Sequence, residues 1–316
     1  LMTGAAGFIG SGWGSVVNEK GLTDLILVDD FNIPAKTRNL DGKKFTAKID
    51  RTIFLNDIKR HKIDFVFHIG ARTDTTEFDV RIFDELNIHY SQILWNYCTN
   101  NDIPFLYASS AATYGNGEYG FDDQMDTSPL LPLNPYGQSK QDFDVWALAQ
   151  KNKPPFWVGL KFFNVFGPNE YHKGRMASVV LHAFNQIAQN NRLNLFKSHH
   201  PDYTDGGQIR DFIYVKDLVE IMWFWYKKQS QSGIYNAGTG VARTFNDLAS
   251  AIFKALNKER IINYIPTPED IRDKYQYFTE AKMQKTRDAG YDHAFYSLEN
   301  AVEDYVKRYL EKNKTY

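Results

Sequence analysis

The first half of the chain is punctuated by short apolar runs without polar alternation. They are Leu25-Ile26-Leu27-Val28, Phe65-Val66-Phe67-His68-Ile69, Phe105-Leu106-Tyr107 and, after the prolines at 154–155, Trp157-Val158-Gly159-Leu160. Runs of this kind suit parallel strands covered on both faces. Between them, Phe83 to Tyr97 and Gln138 to Ala149 carry apolar residues at helical spacing. Strand and helix in alternation predict an α/β fold, a doubly wound parallel sheet with helices on both faces. After about residue 162 the pattern changes. Ser178 to Gln189, Asp217 to Lys227 and Phe245 to Leu256 read as helices, and a last amphipathic helix spans Leu298 to Leu310. A proline-bounded polar segment runs from Pro266 to Asp270, and the cluster Met222-Trp223-Phe224-Trp225-Tyr226 reads as helix packing. No internal repeat or low-complexity linker interrupts the chain, so its parts are expected to be closely joined.

Composition narrows the class. With 316 residues, 43% of them hydrophobic, the chain can bury a large core and form two lobes. Lys plus Arg number 37 against 38 Asp plus Glu, so no nucleic-acid partner is expected. The single cysteine, Cys98, follows the apolar stretch Ile93-Leu94-Trp95-Asn96-Tyr97 and reads as buried packing that cannot form an internal disulfide. No apolar run approaches the roughly 20 residues of a membrane span, and no basic-then-apolar leader opens the sequence. The expectations are no membrane partner, no metal site and a reducing cytoplasm. Leu1 already stands inside an apolar-then-glycine pattern, so the chain is expected to lack the first residues of its opening strand.

That opening reads Thr3-Gly4-Ala5-Ala6-Gly7-Phe8-Ile9-Gly10. Glycines at 4, 7 and 10, between a strand and a helix, permit a tight turn and let a pyrophosphate approach backbone N–H groups at the helix start. The next strand ends in Val28-Asp29-Asp30, about 20 residues later, where an acid can hold the ribose hydroxyls of an adenosine. Together these features predict dinucleotide binding. An acid there favours NAD, whereas Lys36, Arg38 and Arg51 could neutralise the 2′-phosphate of NADP. The expected division is a dinucleotide-binding domain of residues 1–162 rejoined by 209–236, and a smaller α/β substrate-binding lobe of residues 163–208 with 237–316. Gly12-Trp13-Gly14 places two glycines in the first helix at a cost of about 1 kcal/mol each relative to alanine, and the sequence offers no reason for them.

Tyr136-Gly137-Gln138-Ser139-Lys140 puts a tyrosine and a lysine four apart, on one face of a helix. An ammonium beside a phenol favours the phenolate and lowers a pKa that starts near 10. Such a tyrosine can take the proton of a carbinol while a hydride leaves for nicotinamide. Upstream, Phe105-Leu106-Tyr107-Ala108-Ser109-Ser110 is a strand running into serines, where α/β sheets bind ligands. Ser110 is the candidate donor to the reacting oxygen.

The glycine loop, Ser110 and the Tyr136/Lys140 pair together resemble the extended short-chain dehydrogenase/reductase superfamily, of Rossmann fold, whose members largely act on nucleotide sugars. Within it, the stretch from Phe105 through Ala111-Ala112-Thr113-Tyr114-Gly115 is similar to the ADP-glycero-manno-heptose 6-epimerase family. So are Phe163-Asn164-Val165-Phe166-Gly167-Pro168, His172-Lys173-Gly174-Arg175-Met176-Ala177-Ser178 and Tyr275-Gln276-Tyr277-Phe278-Thr279. The resemblance implies an isomerase with Tyr136 and Lys173 as its two acid/base residues and Lys140 holding the cofactor and supporting Tyr136. It implies that Phe8, Ile9, Asp29, Asp30, Lys36, Ile69, Gly70, Ala71, Arg72, Thr73, Asn87 and Val165 line an NADP site, with Arg51 nearby. It also implies substrate contacts from Asn164, Arg175, His182, Phe196, Lys197, Ser198, His199, Arg210 and Tyr275. Arg175 departs from the family, which often has a small polar residue there, and Lys197-Ser198-His199 matches its loop in part. The implied substrate is an ADP-heptose for the lipopolysaccharide inner core, in a Gram-negative cytoplasm, and the implied assembly is a homo-oligomer, with a pentamer among the forms.

The chemistry of epimerisation also calls for a second base. Epimerising a carbinol needs hydride delivered to both faces of one ketone, so the ketone turns against a fixed nicotinamide and its oxygen occupies two places. A proton donor serves at each, Tyr136 at one and Lys173 at the other. Arg210 could clamp a diphosphate and Phe196 could stack on a base, the plain alternative for Arg210 being an exposed pair with Asp211. A 4,6-dehydratase would carry an Asp-Glu pair after the serine, where this chain has Ala111-Ala112. A UDP-hexose 4-epimerase needs the same tyrosine and rotating ketone, and the segment from His172 to Ser178 decides against it. A non-catalytic cofactor sensor should have a broken Tyr/Lys pair, and here both residues are present.

Overall fold

The computed structural model describes residues 1–272 and 275–316. Its strands are β1 Met2–Thr3, β2 Ile26–Asp29, β3 Ala47–Asp50, β4 Val66–His68, β5 Phe105–Ser110, β6 Trp157–Phe162 and β7 Asn164–Phe166. They continue with β8 Leu193–Phe196, β9 Ile209–Arg210, β10 Phe212–Tyr214, β11 Gly233–Ala237, β12 Arg243–Thr244 and β13 Ile262–Ile265. Seven form one parallel sheet in the order β11-β6-β5-β4-β1-β2-β3. Every residue of β5 and β6 is buried, as the unalternating apolar runs require. The chain order reverses between β1 and β4, and a crevice opens there at the carboxyl ends of the strands.

Two apolar clusters cover the sheet. Leu106 and Ala108 of β5 belong to one, and Phe105 and Tyr107 to the other. Alternate residues of a strand point to opposite faces, so the clusters lie on opposite sides. On the first, the helix Phe8–Glu19 packs against the helix Val215–Lys228, with Trp13 buried 4.8 Å from Phe67. Gly12 of that helix faces Val215, and a Cβ added there would make ordinary contact at 3.4 Å, so nothing in the structure requires glycine. On the second side Trp95, Cys98, Phe143 and Trp157 pack together, and the cysteine is fully buried. The helix expected from Phe83 to Tyr97 runs from Val80 to Asn100 and is interrupted by a wider, π-helical stretch at Asp84–His89.

The later residues form short strand pairs: β7 with β10, β9 with β12 and β8 with β13. Helices Val179–Asn190 and Phe245–Ala255 begin at Ser178 and Thr244, whose side chains cap Leu181 and Asp247 backbone N–H groups. Thr244 and Asp247 complete a reciprocal capping box. The helix Leu298–Tyr305 lies against Phe245–Ala255. Among the described residues, no helix is long and apolar enough to cross a membrane, and no group of three or more His, Cys, Asp or Glu side chains is placed to hold a metal ion.

Candidate active site

A cleft of about 1150 Å³ occupies the crevice. At its inner end the glycine loop is main chain against main chain. Gly4 has φ +67°, and a Cβ on it would stand 2.6 Å from the backbone of Gly70. A Cβ on Gly10 would stand 2.1 Å from the Gly4 carbonyl oxygen. This is a cradle that any side chain would fill, at the start of a helix whose N–H groups favour an anion. Asp29 braces the loop: one carboxylate oxygen accepts from Ala6 N at 2.8 Å, and the other from Asp30 N at 2.7 Å and Lys36 Nζ at 2.9 Å. Arg51 stands 3.8 Å from Asp30. The glycine cradle, Asp29 and a crevice of this size fit a dinucleotide.

Beneath the loop runs a buried chain of polar groups. Thr3 Oγ1 accepts from Gly70 N and lies 2.7 Å from His68 Nδ1, while His68 Nε2 lies 2.8 Å from Ser91 Oγ. Burial and the Lys140 charge push the His68 imidazolium down to about 3, so the ring is neutral. Ser91 donates to the Asn87 carbonyl, and Asn87 bonds both backbone groups of Arg72 and the Ser139 hydroxyl. Asn87 therefore stands behind the cleft wall and fixes Arg72, rather than lining the cleft itself.

The helix Pro135–Ala149 carries Tyr136 and Lys140 into the cleft, its first turn capped by Asn134. Tyr136 is hydrogen-bonded to Ser110, which lowers its pKa, but burial is the larger effect and holds the phenol above its ordinary value. Lys140 donates to the Ala108 carbonyl at 2.7 Å, and burial brings its ammonium down to about 8. Ser110 also accepts from Ala112 N at 3.1 Å, so it caps the turn after β5 while meeting the tyrosine.

Lys173 enters from the 3₁₀ segment Tyr171–Met176, where Gly174 takes the left-handed φ of +52°. Its ammonium lies over the Phe8 ring at 5.4 Å, and burial lowers its pKa against the opposing charge of Glu170. Glu170 is fully buried and accepts from Ser178 Oγ at 2.7 Å and Gly167 N at 3.3 Å, tying the loop's two ends together. His172 is within 3.3 Å of Asn39 Nδ2, and burial lowers its pKa to about 4.

Other residues singled out in the sequence divide into two sets. Gly4, Gly7, Phe8, Ile9, Gly10, Asp29, Lys36, Arg51, Ile69 to Thr73, Asn164, Val165, Arg175 and Tyr275 line the cleft. Asp30, His182, Phe196 to His199 and Arg210 do not. His182 sits on the helix Val179–Asn190, with Nε2 3.3 Å from the Arg175 carbonyl. Phe196 meets Tyr275 edge-on at 6.1 Å from behind, and the Ser198 and His199 N–H groups are taken by Asp205 and Tyr277. Arg210 is buried, donates to the Ile209 and Gln276 carbonyls and lies 5.5 Å from the Tyr275 ring. The exposed Arg210–Asp211 pair does not form: Asp211 is also buried and accepts from Thr239, Gly240 and Ala281.

The model of the NAD dependent epimerase/dehydratase family matches residues 1–238. This chain belongs to that family. Among curated relatives, the ADP-L-glycero-D-manno-heptose-6-epimerase of Fusobacterium nucleatum subsp. nucleatum is 46% identical, covering 100% of this chain and 99% of its own length. That of Nitratidesulfovibrio vulgaris is 48% identical over 98% of this chain and 97% of its own. Among solved structures, the Helicobacter pylori ADP-L-glycero-D-manno-heptose-6-epimerase superposes with a TM-score of 0.80 at 28% identity, covering 97% of this chain and 94% of that one. The glycine cradle and Tyr136 line the same cleft. Residues that sequence reasoning missed also line it: Phe245, Gln276 and Thr279 on one wall and His172 beside Lys173. For His172 the available signal is its place in the His172-Lys173-Gly174 stretch, and for Gln276 and Thr279 their place in the stretch from Tyr275 to Thr279; Phe245 has none.

Proposed function

We propose that this chain interconverts ADP-D-glycero-β-D-manno-heptose and ADP-L-glycero-β-D-manno-heptose by transient oxidation and re-reduction at C6, with NADP held throughout. The observation that carries the reading is that Tyr136 and Lys173 line a single cleft with the glycine cradle. Full-length relatives of that name at 46% and 48% identity support it. Gly4, Gly7 and Gly10 would hold the pyrophosphate of a dinucleotide and Lys140 its ribose, and the bound group would supply hydride-transfer chemistry. Lys36 compensates the Asp29 charge at 2.9 Å, which supports NADP over NAD because the acid no longer repels a 2′-phosphate unopposed.

Tyr136 takes the C6 hydroxyl proton in one direction, with Ser110 donating to the reacting oxygen. After the ketone has turned, Lys173, desolvated and beside Glu170, gives the proton at the second oxygen position. Asn164, Arg175 and Tyr275 contact the sugar nucleotide, with Arg210 and Phe196 supporting Tyr275 from behind. The same reading divides the chain into residues 1–162 with 209–236 for the dinucleotide and 163–208 with 237–316 for the substrate. It also places the enzyme in the cytoplasm as a homo-oligomer supplying heptose to lipopolysaccharide.

Single-site kinetics test the roles. Tyr136→Phe and Lys173→Ala should each lower kcat by about a hundredfold or more, with cofactor retained. Wild-type turnover in Lys173→Ala, with Tyr136→Phe inactive, contradicts the two-base reading.

A further inference from the structure

One helical turn beyond Lys140, and on the same face, stands Asp144, a fully buried carboxylate. It receives three donors: Tyr107 Oη at 2.9 Å, Ser109 Oγ at 2.7 Å and Lys161 Nζ at 2.8 Å. Lys161 is itself fully buried, the one ionisable residue in the otherwise apolar strand β6. Its ammonium also donates to Thr113 Oγ1 at 2.6 Å, and Thr113 in turn donates to the Ser110 carbonyl at 2.8 Å. Ser110 is hydrogen-bonded to Tyr136. The contacts form a chain from Asp144 on the helix through Lys161 on β6 and Thr113 after β5 to Ser110 at the end of β5, which meets Tyr136. Gly159 belongs to the same construction, because a Cβ there would stand 2.4 Å from Tyr107 Oη, the hydroxyl that donates to Asp144.

A buried ion pair is a poor source of net stability, since desolvating both charges opposes their attraction. A folding role alone does not account for this one, whose hydrogen bonds lead through Thr113 to the carbonyl of Ser110, the residue that meets Tyr136. We infer that Asp144 and Lys161 are the positioning pair of the Tyr136 site, setting where Ser110 stands and balancing the charge beneath Tyr136 and Lys140. The inference rests on the acid/base reading of Tyr136. Neither residue touches the cleft, so neither is catalytic.

The groups around Tyr136 and Lys140 fix the sign. On their own helix Asp144 raises both pKa values; from β4 the neutral His68 faces Lys140; β5 offers the hydroxyls of Tyr107, Ser109 and Ser110; β6 offers the Lys161 ammonium; and Lys173 lines the same cleft. Removing Lys161 leaves the Asp144 anion unopposed and raises the Tyr136 pKa. Removing the Asp144 charge lowers it. Removing both returns the balance.

The test measures kcat and KM against pH for Lys161→Met, Asp144→Asn, the double variant and Tyr136→Phe. The acidic limb of kcat should move up by about one pH unit in Lys161→Met and down in Asp144→Asn. It should lie near wild type in the double variant, with KM within about twofold throughout. If Lys161→Met does not fold, the downward shift in Asp144→Asn and its reversal in the double variant decide the question in its place. Limbs that all coincide with wild type, in variants differing only in melting temperature, overturn the inference while an inactive Tyr136→Phe leaves the acid/base reading standing. A fully active Tyr136→Phe overturns both.

Discussion

Where the glycine loop lines the cleft, main chain meets main chain, whereas around Tyr275 side chain meets side chain. Gly4, Gly7 and Gly10 bring backbone against backbone, and Asp29 spends its carboxylate bracing Ala6 and Asp30. On the other side Tyr275 stands by the Arg210 guanidinium and Phe196, and Phe245 lies 5.7 Å from the same guanidinium. A main-chain wall tolerates no added atom, yet it depends on few side-chain identities. A side-chain wall can be retuned one residue at a time. On the proposed reading, the main-chain side would hold the dinucleotide and the side-chain side would be where substrate recognition can vary.

Of the loop glycines, Gly10 leaves the least room. Gly10→Ala drives a methyl against the Gly4 carbonyl, and overpacking of this kind costs about 3 kcal/mol. Dinucleotide affinity should fall by more than about a hundredfold, measured by titrating the stripped protein. Affinity within about threefold of wild type would remove the main-chain argument.

A smaller effect is expected from pH at His68, beneath the glycine loop. His68 is neutral in the fold with its pKa lowered to about 3, against 6.5 when unfolded. The unfolded chain therefore binds a proton that the folded chain refuses. The stability contribution is complete above about pH 6.5 and is lost as pH falls toward 3. From about pH 7 to about pH 5 the His68 share is about 2 kcal/mol. Urea unfolding at both pH values should show it, and His68→Gln should flatten the dependence by that amount.

The smallest effect lies on the side-chain wall. Tyr275→Ala should raise KM about tenfold with dinucleotide affinity unchanged. A loss of dinucleotide affinity instead would show that the two walls are not independent.

The parts legible in the sequence follow the same line. Strands β4, β5 and β6 are buried on both faces, so their apolar runs are plain, and the glycine loop is local. Strand β3, Ala47-Lys48-Ile49-Asp50, is a half-exposed edge with two charges, and its pattern does not separate it from a loop. β8 and β13 are short and pair across a long intervening stretch, Leu193–Phe196 with Ile262–Ile265, which periodicity does not reveal. The π-helical stretch at Asp84–His89 carries ordinary helical residues. In the site, Tyr136 and Lys140 are legible because their relation is one helical turn. Asp144 extends that spacing, but its meaning depends on Lys161, which only the pairing of β5 with β6 brings beside it. Arg210 reads as an exposed clamp because sequence does not disclose that its donors are taken by backbone carbonyls.

If one cleft carries its own recycled hydride carrier and epimerises an ADP-heptose, the reaction should run with nothing added. The direct measurement is to incubate the purified protein, without added cofactor, with ADP-D-glycero-D-manno-heptose and follow the C6 configuration by proton NMR. Conversion to a mixture of both epimers is expected, with no reduced cofactor accumulating. No conversion, even after NADP or NAD is supplied, would contradict it.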